Sequence, residues 1–219
     1  LGPFVETCFE NEFALFTDWL LERHLGLDPG RWQDSLDATA ALLRHALERQ
    51  PRVFVHRDYH SRNLIWLETD SGDFQSPDPA LNPGILDFQD AVSGPLAYDL
   101  VSLLRDCYIA WPSPLVDALV QRYLATLEAA DPPFPVPAAA TFRHWFDLTG
   151  IQRHLKAAGI FARLAHRDTK PRYLADIPRT LGYVVSVASA YPELAKLETL
   201  LKETVMPALT AQPATAGLD

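Results

Sequence analysis

Apolar positions along the chain follow two different periods. From Asn11 to Leu25, Phe13, Phe16 and Leu20 share one stripe with Leu15 and Trp19 beside it, and Gly26 follows. A period near 3.6 closed by glycine predicts a helix with its C-terminal stop. Leu36, Ala40, Leu43 and Leu47 are spaced by four, three and four residues ahead of Pro51, which predicts a second helix. The pattern then shortens. Val53 to Val55, Leu64 to Leu67 and Gly84 to Phe88 are brief runs rich in β-branched and aromatic residues, bounded by Pro, Gly, Asp and Ser, and they predict the strands of one small β-hairpin region. Between the last two, residues 68–83 have the Asp, Ser, Pro and Gly content of an exposed loop.

From Leu96 onward the spacing is helical: 96–111 and 113–130, a Pro-punctuated linker DPPFPVP at 131–137, then 138–148, 151–164, 173–189 and 193–208. The expected fold class is α+β, mostly helical: a body over residues 1–212 carrying the β-hairpin, and a frayed tail at 213–219.

Composition narrows the partners. A 219-residue chain that is 48% hydrophobic has material for a substantial core. A net charge of -9 with no Lys/Arg-rich run disfavours nucleic acid and anionic membranes as partners, which leaves small solutes or proteins. Only Cys8 and Cys107 are present, so a reducing, cytoplasmic setting is expected, and no apolar stretch reaches the length of a bilayer span.

The candidate chemistry lies in two stretches. FVHRDYHSRNLIW, residues 54–66, sets His56, Arg57, Asp58 and Asn63 between apolar flanks, and GILDFQDAVSGPLAYDL, residues 84–100, brings Asp87, Asp90 and Asp99. Phosphoryl transfer from ATP needs hard-oxygen ligands for Mg²⁺ and one carboxylate to accept the proton of the attacking hydroxyl. Asp58, Asn63 and Asp87 supply that set. The plain alternative for Asp58 and Asn63 is a solvated hairpin turn. Zinc at His56 and His60 is disfavoured, because no third nitrogen or sulfur ligand has suitable spacing.

HRDYHSRN fits the kinase catalytic-loop pattern HRDxxxxN, and LDFQ stands where kinases carry DFG after a β-hairpin. Together with DFQDAVSGPLAYDLVSLLRDCYIAWP and QRHLKAAGIFARL, they make most of residues 10–178 resemble the bacterial aminoglycoside-phosphotransferase-like sugar kinases. The resemblance implies a protein-kinase-like large C-terminal lobe, with a catalytic loop at 54–66, a DFQ segment at 84–95 and a helical substrate subdomain at 138–208. It implies Asp58 as the catalytic base, His60 near the transferred phosphate, and Asn63 and Asp87 holding Mg²⁺ against ATP. It also implies Asp99 as a buried brace of the catalytic loop, with His56 and Arg57 structural. Asp90 would meet a sugar hydroxyl or cap its turn. Gln89 in place of the DFG glycine, and little room for an activation loop before Asp99, disfavour a protein kinase. The implied reaction moves the ATP γ-phosphate onto a sugar hydroxyl. The hydroxyl expected is the anomeric one of an N-acetylated amino sugar such as N-acetylmuramate or N-acetylglucosamine, in peptidoglycan recycling. An aminoglycoside- or choline-type kinase and a non-catalytic binding module on the same fold are the alternatives.

Two further expectations concern charge and extent. Seven of the 19 basic residues fall between Ile151 and Arg179, and Arg153 among them is expected to meet a substrate carboxylate, against the alternative of a solvated helix face. No GxG occurs, and all four lysines lie after the catalytic loop. The glycine-rich loop and strand lysine that clamp ATP phosphates are therefore expected outside this chain, in an N-terminal lobe absent from it. Alone, the chain is expected to be inactive and to expose an apolar patch.

Overall fold

A computed structural model of the protein describes residues 2–67 and 82–212. The first helix starts before its sequence pattern, as α1 (Phe4–Thr7) and α2 (Phe9–Ala14). It then widens into a π-helix over Leu15–His24, and Gly26 turns the chain out at φ 64°. The widening begins where a neighbouring helix presses on the backbone. A Cβ placed on Gly159 would lie 2.2 Å from the Leu15 carbonyl oxygen and 2.7 Å from the Phe16 nitrogen. Backbone cannot yield as a flexible side chain can. Gly159→Ala is therefore expected to cost about 3 kcal/mol, at the upper end of overpacking effects. Urea unfolding would read this as a lowered midpoint at constant slope, and a midpoint like wild type would refute the contact.

Helix α3 (Gln33–Glu48) forms where its spacing predicts it, burying Leu36, Leu43, Ala46 and Leu47. The β region differs from a single hairpin. Strands β1 (Arg52–Val55), β2 (Leu64–Ile65), β3 (Gly84–Ile85) and β4 (Val92–Pro95) make two separate antiparallel pairs, β1 with β4 and β2 with β3. The sequence VSGP hides β4, since it ends in Gly-Pro and shows no alternation. It pairs because β1 needs a partner, with Val55 opposite Val92 and Val53 opposite Gly94. Gly94 also lets the backbone pass 3.3 Å from the Phe4 Cβ, measured from where its own Cβ would stand. The loop expected at 68–83 falls almost wholly on residues 68–81, outside the described residues.

Helix α4 (Tyr98–Leu104) is shorter than the helix expected over 96–111. The Asp106 carboxylate takes the Tyr108 amide at 2.8 Å, a local side-chain bond that competes with helix continuation. Helix α5 (Ser113–Ala129) is followed by the expected linker. Two predicted helices then fuse into one, α6 (Ala139–His166). Gly150 does not break it, because that glycine packs against Arg105 and Val101, and tertiary contact outweighs the ~1 kcal/mol propensity loss. A 3-10 turn at Pro171–Asp176 leads into α7 (Ile177–Ala188). After it come α8 (Ala195–Leu200), a π-helical turn at Leu201–Val205 and α9 (Met206–Ala211).

Helix α6 is the spine. It packs against the π-helix, α3, α4 and α7, and it buries apolar residues along most of its length, from Phe142 and Phe146 to Ile151, Leu155 and Phe161. Each such fully buried Leu, Ile or Phe contributes roughly 1.5–3 kcal/mol. The buried Gln50 ties three elements together, accepting from the Ala97 amide at 3.0 Å and donating to Thr149 Oγ1 at 3.0 Å. Among the described residues, no helix is long and apolar enough to cross a membrane.

Candidate active site

The site grows from the turn that leaves β1. Val55 is buried, anchoring the strand, and the chain then reverses at Arg57, whose φ of 77° is unusual for a residue with a side chain. Such a conformation persists only where its surroundings hold it. Here they hold both ends of the residue. Asp99, from the first turn of α4, accepts the His56 amide at 2.7 Å and the Arg57 amide at 3.0 Å. On the other side, the Arg57 carbonyl accepts Arg153 Nη1 at 2.7 Å and Ser102 Oγ at 3.4 Å. The next residue is Asp58, half-buried, so its backbone direction is set before its side chain is considered.

The far end of the loop is tied as firmly. Asn63 Nδ2 donates to the Asp58 carbonyl at 3.0 Å, which directs Oδ1 away from that bond. The Ser61 amide and hydroxyl both donate to buried Asp106, at 3.0 and 2.6 Å. The Leu86 amide donates to the Asn63 carbonyl at 3.0 Å, and His56 Nε2 donates to the Leu86 carbonyl at 2.8 Å. These bonds bring the strand that precedes Asp87 beside the loop. Asp87 has φ 65° and is exposed, its Oδ1 accepting Gln89 Nε2 at 2.6 Å. Asp58, Asn63 and Asp87 are thus brought to one region by two loops and a two-residue sheet.

The donor set suits a hard cation. An amide oxygen and a solvent-facing carboxylate match Mg²⁺, which keeps several waters and takes its remaining ligands from phosphates. Among the described residues, no group of three or more His, Cys, Asp or Glu converges as a self-sufficient metal centre.

Beneath the loop lies a buried ionic cluster that the sequence did not announce. Glu12, from α2, accepts Arg57 Nη2 at 2.7 Å, Lys156 Nζ at 2.7 Å and Gln152 Nε2 at 2.9 Å. Burial works against its charge, yet Lys156 and its hydrogen bonds hold the carboxyl below the usual range. Arg57 is held charged in turn, since its pairing with Glu12 outweighs burial. Asp99 goes the other way: burial raises its pKa in spite of its two backbone donors.

Other candidate residues take different places. Arg153, expected to meet a substrate carboxylate, is directed at the protein itself, bonding the Arg57 carbonyl with its guanidinium 4.6 Å over the Tyr98 ring. Lys156 is likewise occupied, so the basic segment is neither one substrate face nor one solvated face. Arg167 and Arg179 make surface pairs with Asp168 and Asp176. His60 stands edge-on to Tyr108 at 5.6 Å, and burial lowers its pKa. The Asp90 carboxylate is exposed, while its carbonyl lies 3.5 Å from Arg57 Nη1.

The model of the phosphotransferase enzyme family matches residues 2–135, a stretch that contains Asp58, Asn63, Asp87 and Asp99. The chain belongs to the phosphotransferase enzyme family. This phosphotransferase chain is 45% identical over 206 residues to an N-acetylmuramate/N-acetylglucosamine kinase of Pseudomonas aeruginosa, covering 92% of the chain and 56% of the relative. A protein of the same description from Neisseria meningitidis serogroup B is 44% identical over 200 residues, covering 89% and 55% respectively. One from Pseudomonas putida is 41% identical over 207 residues, covering 93% and 56%. The phosphotransferase chain therefore spans little more than half the length of these curated relatives.

Glu12 and Asp106, which tie the 54–66 loop to α2 and to the end of α4, escaped sequence reasoning. Glu12 lies in an ordinary-looking amphipathic helix. Asp106 had one local signal, an Asp-x-Tyr at the end of a predicted helix, that reads equally as helix interior.

Proposed function

We propose that this chain is the large lobe of a cytoplasmic, ATP-dependent sugar kinase that phosphorylates the anomeric hydroxyl of an N-acetylated amino sugar in peptidoglycan recycling. The observation that carries the reading is the Arg57–Asp58 turn, gripped at its amides by Asp99 and at its carbonyl by Arg153. A general base needs that fixed reach more than a solvated turn does. The names of the relatives supply the substrate class.

In this reading Asp58 orients the sugar hydroxyl and accepts its proton, and Asn63 Oδ1 with an Asp87 carboxylate oxygen would hold Mg²⁺. The ion would supply charge neutralisation across the β- and γ-phosphate oxygens. Arg153 serves as a brace of the loop. His60 offers a hydrogen bond near the transferred phosphate. Asp90 remains open to a sugar hydroxyl.

The nucleotide clamp is proposed to lie in the part of the relatives' length that this chain does not span. Supporting this, Phe54 (59% exposed), Trp66 (58%) and Phe88 (65%) lie open on and beside the small sheets, with Ile65, Leu67, Ile85 and Leu86. An apolar surface of that kind marks a binding wall.

The test is an assay of the full-length protein with ATP, Mg²⁺ and a panel of N-acetylmuramate, N-acetylglucosamine, an aminoglycoside and choline. Sugar 1-phosphate from the amino sugars is expected, and Asn63→Ala and Asp87→Ala each raise the Mg²⁺ concentration required, Asp87→Ala more because it removes a charge. This 219-residue chain assayed alone is expected to be inactive. Turnover confined to the aminoglycoside or choline would move the substrate class, and no turnover at all would favour a binding module.

A further inference from the structure

Beside the catalytic loop, on the His60 side, aromatic rings form a continuous ledge. Tyr108 meets His60 at 5.6 Å and Phe161 at 6.3 Å, and Phe161 stacks on Tyr173 at 5.8 Å with 12° between the planes. Two guanidiniums converge on this ledge from separate elements. Arg62, from the catalytic loop itself, lies 3.5 Å over the Tyr108 ring. Arg172, from the 3-10 turn, lies 5.1 Å over the Tyr173 ring with Nη2 3.4 Å from its hydroxyl. Both arginines are exposed, and among the described residues neither has a carboxylate partner.

The chain as a whole carries a net charge of -9. Nearby carboxylates are otherwise engaged. Asp106 is saturated by Ser61 and the Tyr108 amide, Asp168 is paired with Arg167, and Asp176 with Arg179. Both cations act on one phenol, since the Tyr173 hydroxyl is held below its ordinary pKa by the Arg172 hydrogen bond first, with Arg62 adding to it. A hydroxyl flanked by two forked donors is a place where a small anion gains two charge-assisted contacts.

We propose that Arg62 and Arg172, set over Tyr108 and Tyr173, form a subsite for the carboxylate of an acidic sugar substrate. This rests on the sugar-kinase reading and names the group that would distinguish N-acetylmuramate from N-acetylglucosamine. The ledge begins at His60, whose amide bonds the Asp58 carbonyl at 3.0 Å. In this proposal a sugar presenting its hydroxyl to Asp58 directs its ring substituents toward the ledge. The tyrosine rings hold the guanidiniums in place, and the guanidiniums read the charge.

The experiment compares kcat/KM of the full-length protein for the two sugars at saturating ATP, in wild type, Arg62→Gln, Arg172→Gln and the double variant. Both arginines are exposed, so thermal unfolding should match wild type and loss of fold is not a confounder. Each single variant is expected to lower the N-acetylmuramate value about tenfold more than the N-acetylglucosamine value, and the double variant more still. Equal losses on both sugars, with a raised KM for ATP, would mean the arginines meet phosphate and would overturn the assignment, as would no loss. If wild type phosphorylates neither sugar, the amino-sugar reading fails by itself and calorimetric binding decides the subsite. Tighter binding of N-acetylmuramate than of N-acetylglucosamine, abolished in the double variant, would support it, and any other binding result would overturn it.

Discussion

Asp58→Asn in the full-length protein is expected to lower turnover by about 10²-fold or more with little change in ATP affinity, because it removes the proton acceptor and keeps the shape. The surroundings make this a clean substitution. The residue's direction comes from backbone bonds made by its neighbours: the Arg57 amide to Asp99, the Arg57 carbonyl to Arg153, and the Asp58 carbonyl to Asn63. None of these involves the Asp58 carboxylate, so the loop stays in place when the charge is lost. Single-turnover measurements with saturating ATP and sugar separate the chemical step from binding. Near-normal turnover would remove Asp58 from its role. An equal fall in ATP affinity would assign it to the phosphates.

The second large effect is on stability. Glu12→Ala is expected to cost about 3–5 kcal/mol, because it leaves Arg57 and Lys156 charged in a site from which water is excluded. Glu12 is 5% exposed and takes three donors from two elements, the catalytic loop and α6. Urea unfolding would measure the loss. Adding Lys156→Met should recover part of it by removing one stranded cation, and an additive outcome for the pair would count against the cluster. The pH dependence carries a sign. The folded state holds the Glu12 carboxyl below its ordinary value of 4.5, so its contribution is present above that pH and is lost as pH falls through the folded value. Wild type should therefore lose stability in acid more steeply than Glu12→Ala does.

Much of this protein was legible in its residues one after another. HRDYHSRN and LDFQ carry their chemistry in fixed spacing, because a base and an amide ligand on one short loop must be close in sequence to be close in space. The helices α3 and α5, and the end of the helix stopped by Gly26, were equally readable, since period and punctuation are local properties. By itself, then, the sequence determined the mostly helical class and put forward a candidate base and a candidate ligand set. Tertiary structure decided what distance along the chain conceals. It paired VSGP with β1, fused two predicted helices into α6 through the packing of Gly150, and widened the first helix against Gly159. It turned Arg153 inward onto the Arg57 carbonyl, gathered Glu12 under the loop from 45 residues away, and brought Arg62 and Arg172 onto one aromatic ledge. The physical reason is the same in each case. A backbone contact or a charge in a buried site is satisfied by whatever the fold brings beside it, and nothing in the local pattern of either partner records which one that is.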